Sequence, residues 1–363
     1  MNTPIKVALE ATALLDPQRT GIQVYSENVI RELSLRPGEI SFRVFHKARP
    51  FRKAPSRIDQ LSESRPYIHS RFANVGDCRI THSTDSKFLY KKGLRNIVTA
   101  HDAAIFLPEH DIDGFTTPSF RARRYEISCR MYAKADRIIS VSESTKSDII
   151  RLFSVDPNKV MVIYQGVDAM VESDSQPDEE KALDAFGLQP DGYLLFVGAI
   201  SIRKNLLSLL EAYGRSKVKH DLGLVLAGPM SMGSDRIVER VNTLGLSARV
   251  SFTSAVSDAE LSTLYKNAKA LLFPTYYEGF GRPILEAMSF GMPVLVGNRG
   301  SAPEVSGGLA VEADPFSVDE ITRGIQSVIE REPNSPALVA HARSFTWDRF
   351  GRQLVGLYRE LSD

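Results

Sequence analysis

The sequence is poor in cysteine and lacks long apolar runs, and both features argue against certain classes of protein. Cys78 and Cys129 are the only cysteines among 363 residues. Two thiols this far apart favour reduced cysteines over a disulfide framework or a zinc site. No apolar run approaches the roughly 18 residues of a membrane helix. The first residues, Met-Asn-Thr-Pro-Ile-Lys, lack the apolar core of a secretory signal, so we expect a cytoplasmic protein.

Several sequence motifs of common enzyme classes are also missing. A dinucleotide-binding dehydrogenase needs Gly-x-Gly-x-x-Gly after its first strand, whereas this chain has Glu10-Ala11-Thr12-Ala13 there. There is no phosphate-binding P-loop and no Gly-x-Ser-x-Gly elbow. Asp111-Ile112-Asp113 has the form of a metal-binding Asp-x-Asp pair. It does not close a predicted strand, and such a pattern arises about once by chance in a chain this long, so we expect no metal.

The composition fits a globular protein of two domains with an uneven charge. Hydrophobic residues make up 43% of the chain, and the formal net charge is +1. Residues 1–168 hold 26 Lys and Arg against 19 Asp and Glu, whereas the remainder holds 19 against 25. The basic excess of the first half favours an anionic membrane surface, a phosphorylated acceptor or a nucleic acid, with solvated surface faces as an equal alternative. Two basic stretches carry it: Arg43, Lys47, Arg49, Arg52, Lys53 and Arg57, then Arg121, Arg123, Arg124 and Arg130.

Strand and helix patterns alternate along both halves, which predicts α/β domains with doubly wound parallel sheets. The first domain is expected over residues 1–170, beginning with a strand at Ile5–Leu9 and a helix from about Gln23 to Leu35. An acidic, proline-containing tract predicts a linker over 171–188. The second domain follows over 189–345, and an amphipathic helix is expected over 346–363.

The stretch from Phe273 to Val294 is the most informative part of the second domain. It reads as a buried strand, a glycine-containing loop, a helix with Pro283 in its first turn and Gly291 at its end, and another strand. Free N–H groups at a helix start attract phosphate. Glu278 and Glu286 frame this turn, and carboxylates accept hydrogen bonds from sugar hydroxyls. The alternative is an exposed loop glutamate plus a first-turn glutamate favoured by the helix dipole.

The pattern Glu-Gly-Phe-Gly-x-Pro-x-x-Glu-Ala-Met-x-x-Gly-x-Pro-Val resembles the donor-binding signature of glycosyltransferase family 4. That large retaining family has the GT-B fold, in which two Rossmann-like domains face a central cleft. The resemblance also implies that the helix over 346–363 crosses back onto the first domain. The resemblance implies that Glu286 holds the nucleotide ribose and that Glu278 lies beside the donor sugar. It also implies that the amides of Gly279, Phe280 and Gly281 contact sugar and phosphate. The chain departs from many members at Arg282, where leucine is common.

Other residues take expected roles from the same resemblance. Arg203 and Lys204 stand at a predicted helix start, where the dipole repels cations, and in the family such a pair grips the donor diphosphate. The segment around Val256 resembles the turn whose backbone contacts the base. Gly21 matches a glycine that faces the cleft and contacts the donor phosphate or the acceptor. Gln23 stands where a second glycine is common.

His101 follows a predicted strand, and the His-Asp pair resembles a recurring active-site feature in which the histidine reaches the transferred sugar. Asp102 is its expected support, and a structural histidine is the alternative. Ser142 or Ser144 is expected to cap the next helix.

These features predict a retaining hexosyltransferase with its nucleotide-sugar donor on the second domain and a saccharide or lipid-linked saccharide acceptor on the first. GDP-mannose is the favoured donor, since the whole chain resembles bacterial polysaccharide mannosyltransferases, and UDP- or ADP-glucose comes next. No cofactor, metal or nucleic acid is expected, and contact with the inner face of the plasma membrane is a further hypothesis. The alternatives are a GT-B epimerase acting on UDP-N-acetylglucosamine and a catalytically silent binding subunit.

Overall fold

The computed structural model describes residues 3–15, 20–46, 68–70, 75–107, 116–167, 179–254, 256–333 and 335–362. The chain divides into two compact units. The first unit comprises Met1–Ala103, Ser119–Gly166 and Thr346–Asp363, and the second comprises Ala104–Pro118 and Val167–Phe345. Asp111 and Asp113, the first basic stretch from Lys47 onward and most of the acidic tract lie outside the described residues.

The described part of the first unit contains a parallel sheet of seven strands. The strands are β1 (Ile5–Glu10), β2 (Ile40–Phe45), β3 (Ile68–Ser70), β4 (Ile80–Ser83), β5 (Arg95–Ala100), β6 (Arg137–Ser140) and β7 (Val160–Val162). Their order is β3-β2-β1-β4-β5-β6-β7, and each pairs in parallel with its neighbours. Apolar residues such as Val7, Ile97 and Ile138 are fully buried. Because all seven strands are parallel, their carboxyl ends meet at one edge of the sheet, where ligands bind in such sheets.

In the described part of the first unit the α-helices are α1 (Gly21–Ser34), α2 (Pro118–Lys134), α3 (Glu143–Phe153) and the last helix, Trp347–Ser362. Helix α1 begins earlier than predicted because Thr20 and Gln23 form a capping box, in which each side chain accepts a hydrogen bond from the other residue's backbone N–H. Ser142 caps α3 by accepting a hydrogen bond from the Thr145 N–H at 3.0 Å, so one of the two predicted serine caps is confirmed.

The last helix packs against α1, β1 and β4 within the first unit. It buries Trp347, Phe350, Leu354 and Leu357 on one face, as its amphipathic pattern predicts. Gly166 lies directly against this helix: a Cβ there would sit 2.2 Å from the Trp347 backbone nitrogen. The glycine therefore permits the close approach of the two segments.

The described part of the second unit contains a parallel sheet of six strands. The strands are β8 (Tyr193–Val197), β9 (Gly223–Ala227), β10 (Val250–Ser254), β11 (Ala270–Phe273), β12 (Val294–Gly297) and β13 (Val311–Ala313). Their order is β10-β9-β8-β11-β12-β13. The helices are α4 (Glu179–Ala185), α5 (Leu206–Arg215), α6 (Ser234–Thr243), α7 (Asp258–Asn267), α8 (Arg282–Ser289), α9 (Ala302–Ser306), α10 (Val318–Ile329) and α11 (Pro336–Arg343).

Helix α4 falls inside the tract that the sequence assigns to a linker over 171–188. Its Leu183 is buried, and Glu179 pairs with Lys266 of α7 at 2.5 Å. The apolar side chain and the ion pair attach this segment to the second unit, although its composition is polar and acidic.

Among the residues that the structure describes, no helix combines the length and apolar character needed to cross a membrane.

Candidate active site

The loop with Glu278 joins β11 to α8 at the carboxyl edge of the second sheet. Gly281 caps the helix with φ +86°, a conformation that favours glycine. Pro283 occupies the first turn, and Gly291 follows the helix with φ +71°. The predicted succession of strand, loop, helix and terminating glycine is confirmed. Gly279 and Phe280 are buried in the loop, and the Phe280 ring lies 6.1 Å from that of Phe345.

Lys204 and Glu278 form a nearly buried ion pair. The Lys204 Nζ donates to Glu278 Oε1 at 2.5 Å, and the two side chains are 12% and 11% exposed. Lys204 ends a short 3₁₀ turn, Ile202–Lys204, that also holds the half-buried Arg203. The sequence assigned Lys204 to phosphate and Glu278 to sugar, and the structure shows that one contacts the other.

Asn205 fixes this turn against the Glu278 loop, a role that the sequence reasoning missed. Its backbone has φ +60°, and its buried Nδ2 donates to the Pro274 carbonyl at 2.8 Å and to the Pro315 carbonyl at 2.6 Å. One side chain thereby links the turn, the start of the loop and the segment after β13. The available signal was an asparagine directly before an apolar helix, because asparagine tolerates the left-handed region.

The Glu286 carboxylate has partners on both oxygens. The Arg282 guanidinium lies 2.9 Å from Oε1, and the Tyr265 hydroxyl donates to Oε2 at 2.8 Å. Burial and the charge of Glu286 raise the pKa of Tyr265, so its phenol stays protonated. Glu286 is the fifth residue of α8 and not in the first turn as expected, because the helix begins at Arg282. A favourable interaction with the helix dipole therefore does not account for this glutamate.

The turn after β12 supports the backbone of Glu278. The Glu278 carbonyl accepts from the Ser301 N–H at 3.1 Å and from its hydroxyl at 2.9 Å. Gly300 has φ +63°, and a Cβ there would sit 2.9 Å from the same carbonyl. Glu304, further along the same segment, lies in the first turn of α9.

The segment before Val256 has the backbone of a glycine turn. Ser254 ends β10 with φ +59°, and the pairing of β10 with β9 shifts register there. Ser254 thus adopts a left-handed backbone conformation that favours glycine. Val256 is half-buried, and Ala255 between them lies outside the described residues.

His101 follows β5 at the carboxyl edge of the first sheet. Its Nε2 lies 2.7 Å from the Thr84 carbonyl oxygen. A carbonyl only accepts, so Nε2 carries the proton and Nδ1 is the unprotonated nitrogen of the neutral ring. Burial lowers the pKa of His101, against the bond to Thr84 and the charges of Asp85 and Asp102, which raise it. The expected support from Asp102 is thus an electrostatic one, while Thr84 holds the ring nitrogen.

A buried polar network lies beneath His101. The Tyr25 ring meets the His101 ring edge-on at 4.8 Å, and its hydroxyl bonds to Thr99 Oγ1 at 3.0 Å. Thr99 also contacts His82 Nε2 at 2.9 Å, and His82 Nδ1 contacts the Tyr358 hydroxyl at 2.7 Å. Burial lowers the pKa of His82 to about 3. No sequence pattern marks these residues, which come from four separate elements.

Gly21, the first residue of α1, is exposed. A Cβ there would meet nothing within 4 Å, and its φ is not positive. The fold therefore does not require glycine at this position, and the ligand contact of Gly21 stays a prediction.

The described residues contain no cluster of three or more His, Cys, Asp or Glu side chains suited to a metal ion.

Comparisons with known proteins agree with this architecture. A family model described as Glycosyltransferase Family 4 matches residues 20–170, and one described as Glycosyl transferases group 1 matches residues 178–345. The chain is 28% identical over 370 residues to O-antigen chain mannosyltransferase B of Escherichia coli, covering 94% of this chain and 96% of that protein. It is 31% identical over 242 residues to D-inositol 3-phosphate glycosyltransferase of Mycolicibacterium smegmatis, covering 63% of this chain and 54% of that protein.

Solved structures share the fold at low sequence identity. Anabaena HepE in complex with UDP-glucose superposes with a TM-score of 0.75 at 17% identity, covering 98% of this chain and all of that chain. The two family matches cover most of the sequence from opposite ends, and both sheets are parallel as the GT-B fold requires. The chain belongs to the GT-B glycosyltransferases, with a family 4 domain in its N-terminal half and a group 1 domain in its C-terminal half.

Proposed function

We propose that this glycosyltransferase moves mannose from GDP-mannose onto a saccharide or lipid-linked saccharide, with retention of anomeric configuration, in bacterial polysaccharide synthesis. The observation that carries the proposal is the group around α8, where Lys204, Glu278, Arg282 and Glu286 lie together beside a glycine-capped helix start. Cations, carboxylates and backbone amides in one place suit a ligand with both phosphates and hydroxyls. The mannosyl preference rests on the Escherichia coli relative, which matches over nearly its whole length.

In this proposal Arg203 and Lys204 hold the donor diphosphate, and Glu286 accepts hydrogen bonds from the ribose. Lys204 has three N–H donors and spends one on Glu278. In the proposal the charge of Lys204 also offsets that of the phosphate oxygens, and Glu278 accepts a hydrogen bond from a hydroxyl of the sugar. The amides of Gly279, Phe280 and Gly281 complete the contacts. The ion pair thus serves both ligand groups at once.

His101 would accept a hydrogen bond from a hydroxyl of the transferred sugar through Nδ1, since Nε2 is committed to Thr84. As the glycosidic bond breaks, negative charge grows on the leaving diphosphate, and Arg203 and Lys204 offset it. The acceptor hydroxyl attacks from the same face and gives its proton to a leaving phosphate oxygen. Because two side-chain cations supply the positive charge, the proposal needs no metal ion.

The test is a thermal-shift panel of GDP, UDP, ADP and their common sugar conjugates, each with EDTA. A ligand at about 100 times its dissociation constant stabilises the native state by about 2.7 kcal/mol. We expect GDP and GDP-mannose to raise the melting temperature and the others not to. Stabilisation by UDP or ADP compounds alone would show that the donor is not GDP-mannose. Release of an epimerised free nucleotide sugar would indicate an epimerase. No response to any nucleotide would contradict a transferase.

A second assay addresses the stereochemistry. With GDP-mannose and a mannose-containing oligosaccharide as acceptor, NMR of the product reports the anomeric configuration of the new glycosidic bond. An α-linked product from the α-linked donor is expected, and a β-linked product would contradict retention.

A further inference from the structure

Arg282 stands where helix energetics alone would not place it. It is the first residue of α8, at the positive end of the helix dipole. It pairs with Glu286 four residues later, and this order, with the cation nearer the N-terminus, is the weaker one for stabilising a helix. The side chain is only 17% exposed, and its buried Nε has no hydrogen-bond partner among the described residues. An arginine that does little for its helix calls for another explanation.

The carboxylate that Arg282 contacts is held from two sides. Arg282 lies on Oε1 and the Tyr265 hydroxyl on Oε2. The Tyr265 ring is itself fixed, since it is 1% exposed and stacks on Phe290 at 5.9 Å between centroids. Two donors on different oxygens define the plane of a carboxylate, which has about four lone-pair positions. Two positions remain, one on each oxygen, and they suit two neighbouring hydroxyls of one ligand.

We propose that Arg282 and Tyr265 are positioning residues that orient Glu286 to accept the vicinal 2′ and 3′ hydroxyls of the donor's ribose. The inference rests on the proposed function, in which Glu286 holds that ribose. In this inference Arg282, which stands where many family members have leucine, acts on the nucleoside part of the donor. If Arg282 contacted the diphosphate instead, Oε1 of Glu286 would lose its donor and the plane of the carboxylate would not be fixed.

The experiment is isothermal titration of the full chain with GDP and with 2′,3′-dideoxy-GDP, or with the uridine pair if the thermal panel selects UDP. The ratio of the two dissociation constants isolates the ribose hydroxyls from the base and phosphates. Because hydrogen bonds to a charged group are strong, we expect the dideoxy compound to bind the unmodified chain at least about tenfold more weakly than GDP. In Arg282→Leu and Tyr265→Phe the ratio should fall below about threefold, through weaker binding of GDP alone. Arg282→Lys, which keeps the charge but not the planar fork, should give an intermediate ratio.

Two comparisons make the outcome decisive. Glu286→Gln should lower the ratio by itself, and adding Arg282→Leu to it should lower the ratio no further, because both changes remove one interaction. Arg240→Leu, which breaks a surface pair with Glu211 on the same unit, should leave the ratio unchanged.

An unchanged ratio in Arg282→Leu and Tyr265→Phe overturns the inference and leaves the proposed function standing. Equal weakening of GDP and its dideoxy analogue also overturns it, since that is the result of a phosphate contact or of damaged folding. If no nucleotide binds the unmodified chain, the proposed function fails and the inference fails with it.

Discussion

The ion pair between Lys204 and Glu278 affects how substitutions at either residue are interpreted. Their side chains are almost buried and lie 2.5 Å apart. Removing one partner of such a pair leaves an uncompensated charge, which commonly costs about 3–5 kcal/mol. Loss of activity in Lys204→Ala or Glu278→Ala is therefore ambiguous between chemistry and folding. Residues whose partners are neutral backbone groups, such as His101, give cleaner tests.

His101→Ala should lower kcat more than it weakens donor binding. The ring is held by a backbone carbonyl and an aromatic edge, so its removal leaves no buried charge. In the proposal the hydrogen bond from the sugar to His101 is strongest while the glycosidic bond breaks. Its loss should therefore reduce kcat by about tenfold or more. Steady-state kinetics together with the dissociation constant of GDP would separate the two effects. Equal losses in kcat and in GDP affinity would show that His101 serves donor binding instead.

His82 should make the stability of the protein fall as the pH falls below about 6.5. Burial lowers the pKa of His82 from 6.5 to about 3 in the folded chain. Between these values the unfolded chain binds a proton that the folded chain does not, so acid favours unfolding. One such proton contributes about 1.4 kcal/mol per pH unit. Denaturant titrations from pH 7.5 to 5 should show this slope in the unmodified chain and a shallower one in His82→Gln. Parallel slopes for the two proteins would refute the assignment.

The 3₁₀ turn Ile202–Lys204 is the element that depends most on one side chain. Asn205 supplies a left-handed residue at its end and two hydrogen bonds to carbonyls on other segments. Asn205→Gly keeps the backbone conformation and loses the bonds, whereas Asn205→Ala also adds the strain of a positive φ, about 1–2 kcal/mol. Both should lower the melting temperature, with alanine the lower, and both should reduce kcat/KM because the turn carries Arg203 and Lys204.

A matched control exists at Ser154, which ends α3 with φ +51° and is exposed. Ser154→Gly should leave kcat/KM unchanged and the melting temperature equal or slightly higher, since glycine relieves the same strain without losing a tertiary contact. If Asn205→Gly behaves like Ser154→Gly, the side-chain amide does not hold the turn.

The sequence predicted those parts of the fold and site that depend on neighbours along the chain. The glycines and proline around α8 act through local backbone geometry, so strand, loop and helix follow from the motif. Partners from distant segments were not predictable in this way. Lys204 meets Glu278 across 74 positions, and Tyr265 meets Glu286 across 21. The backbone carbonyl of Thr84 holds His101, and the identity of residue 84 does not indicate such a contact. The polar composition of α4 likewise gave no sign that Leu183 is buried.

At the scale of the whole molecule, the net charge of +1 conceals a basic N-terminal half. Within it, α2 presents a surface where apolar and basic residues share one face. Phe120 and Ile127 are 50% and 38% exposed, and Arg123 and Arg130 are exposed at helical spacing between and beyond them. Basic side chains are attracted to the anionic head groups of a membrane surface, and the exposed apolar side chains between them add apolar contact area. The proposed lipid-linked acceptor would be met at such a surface.

We therefore expect the full chain to bind vesicles that contain phosphatidylglycerol and not vesicles of phosphatidylcholine alone. Each basic residue near an anionic surface contributes about 1 kcal/mol, so Arg123→Glu with Arg130→Glu should weaken sedimentation with anionic vesicles by more than about tenfold. Raising the salt should weaken binding of the unmodified chain as well. The paired reversal Arg240→Glu with Arg323→Glu, which changes the net charge equally on the second unit, should have little effect. Salt-independent binding, or equal losses in the two paired reversals, would show that α2 is not the contact.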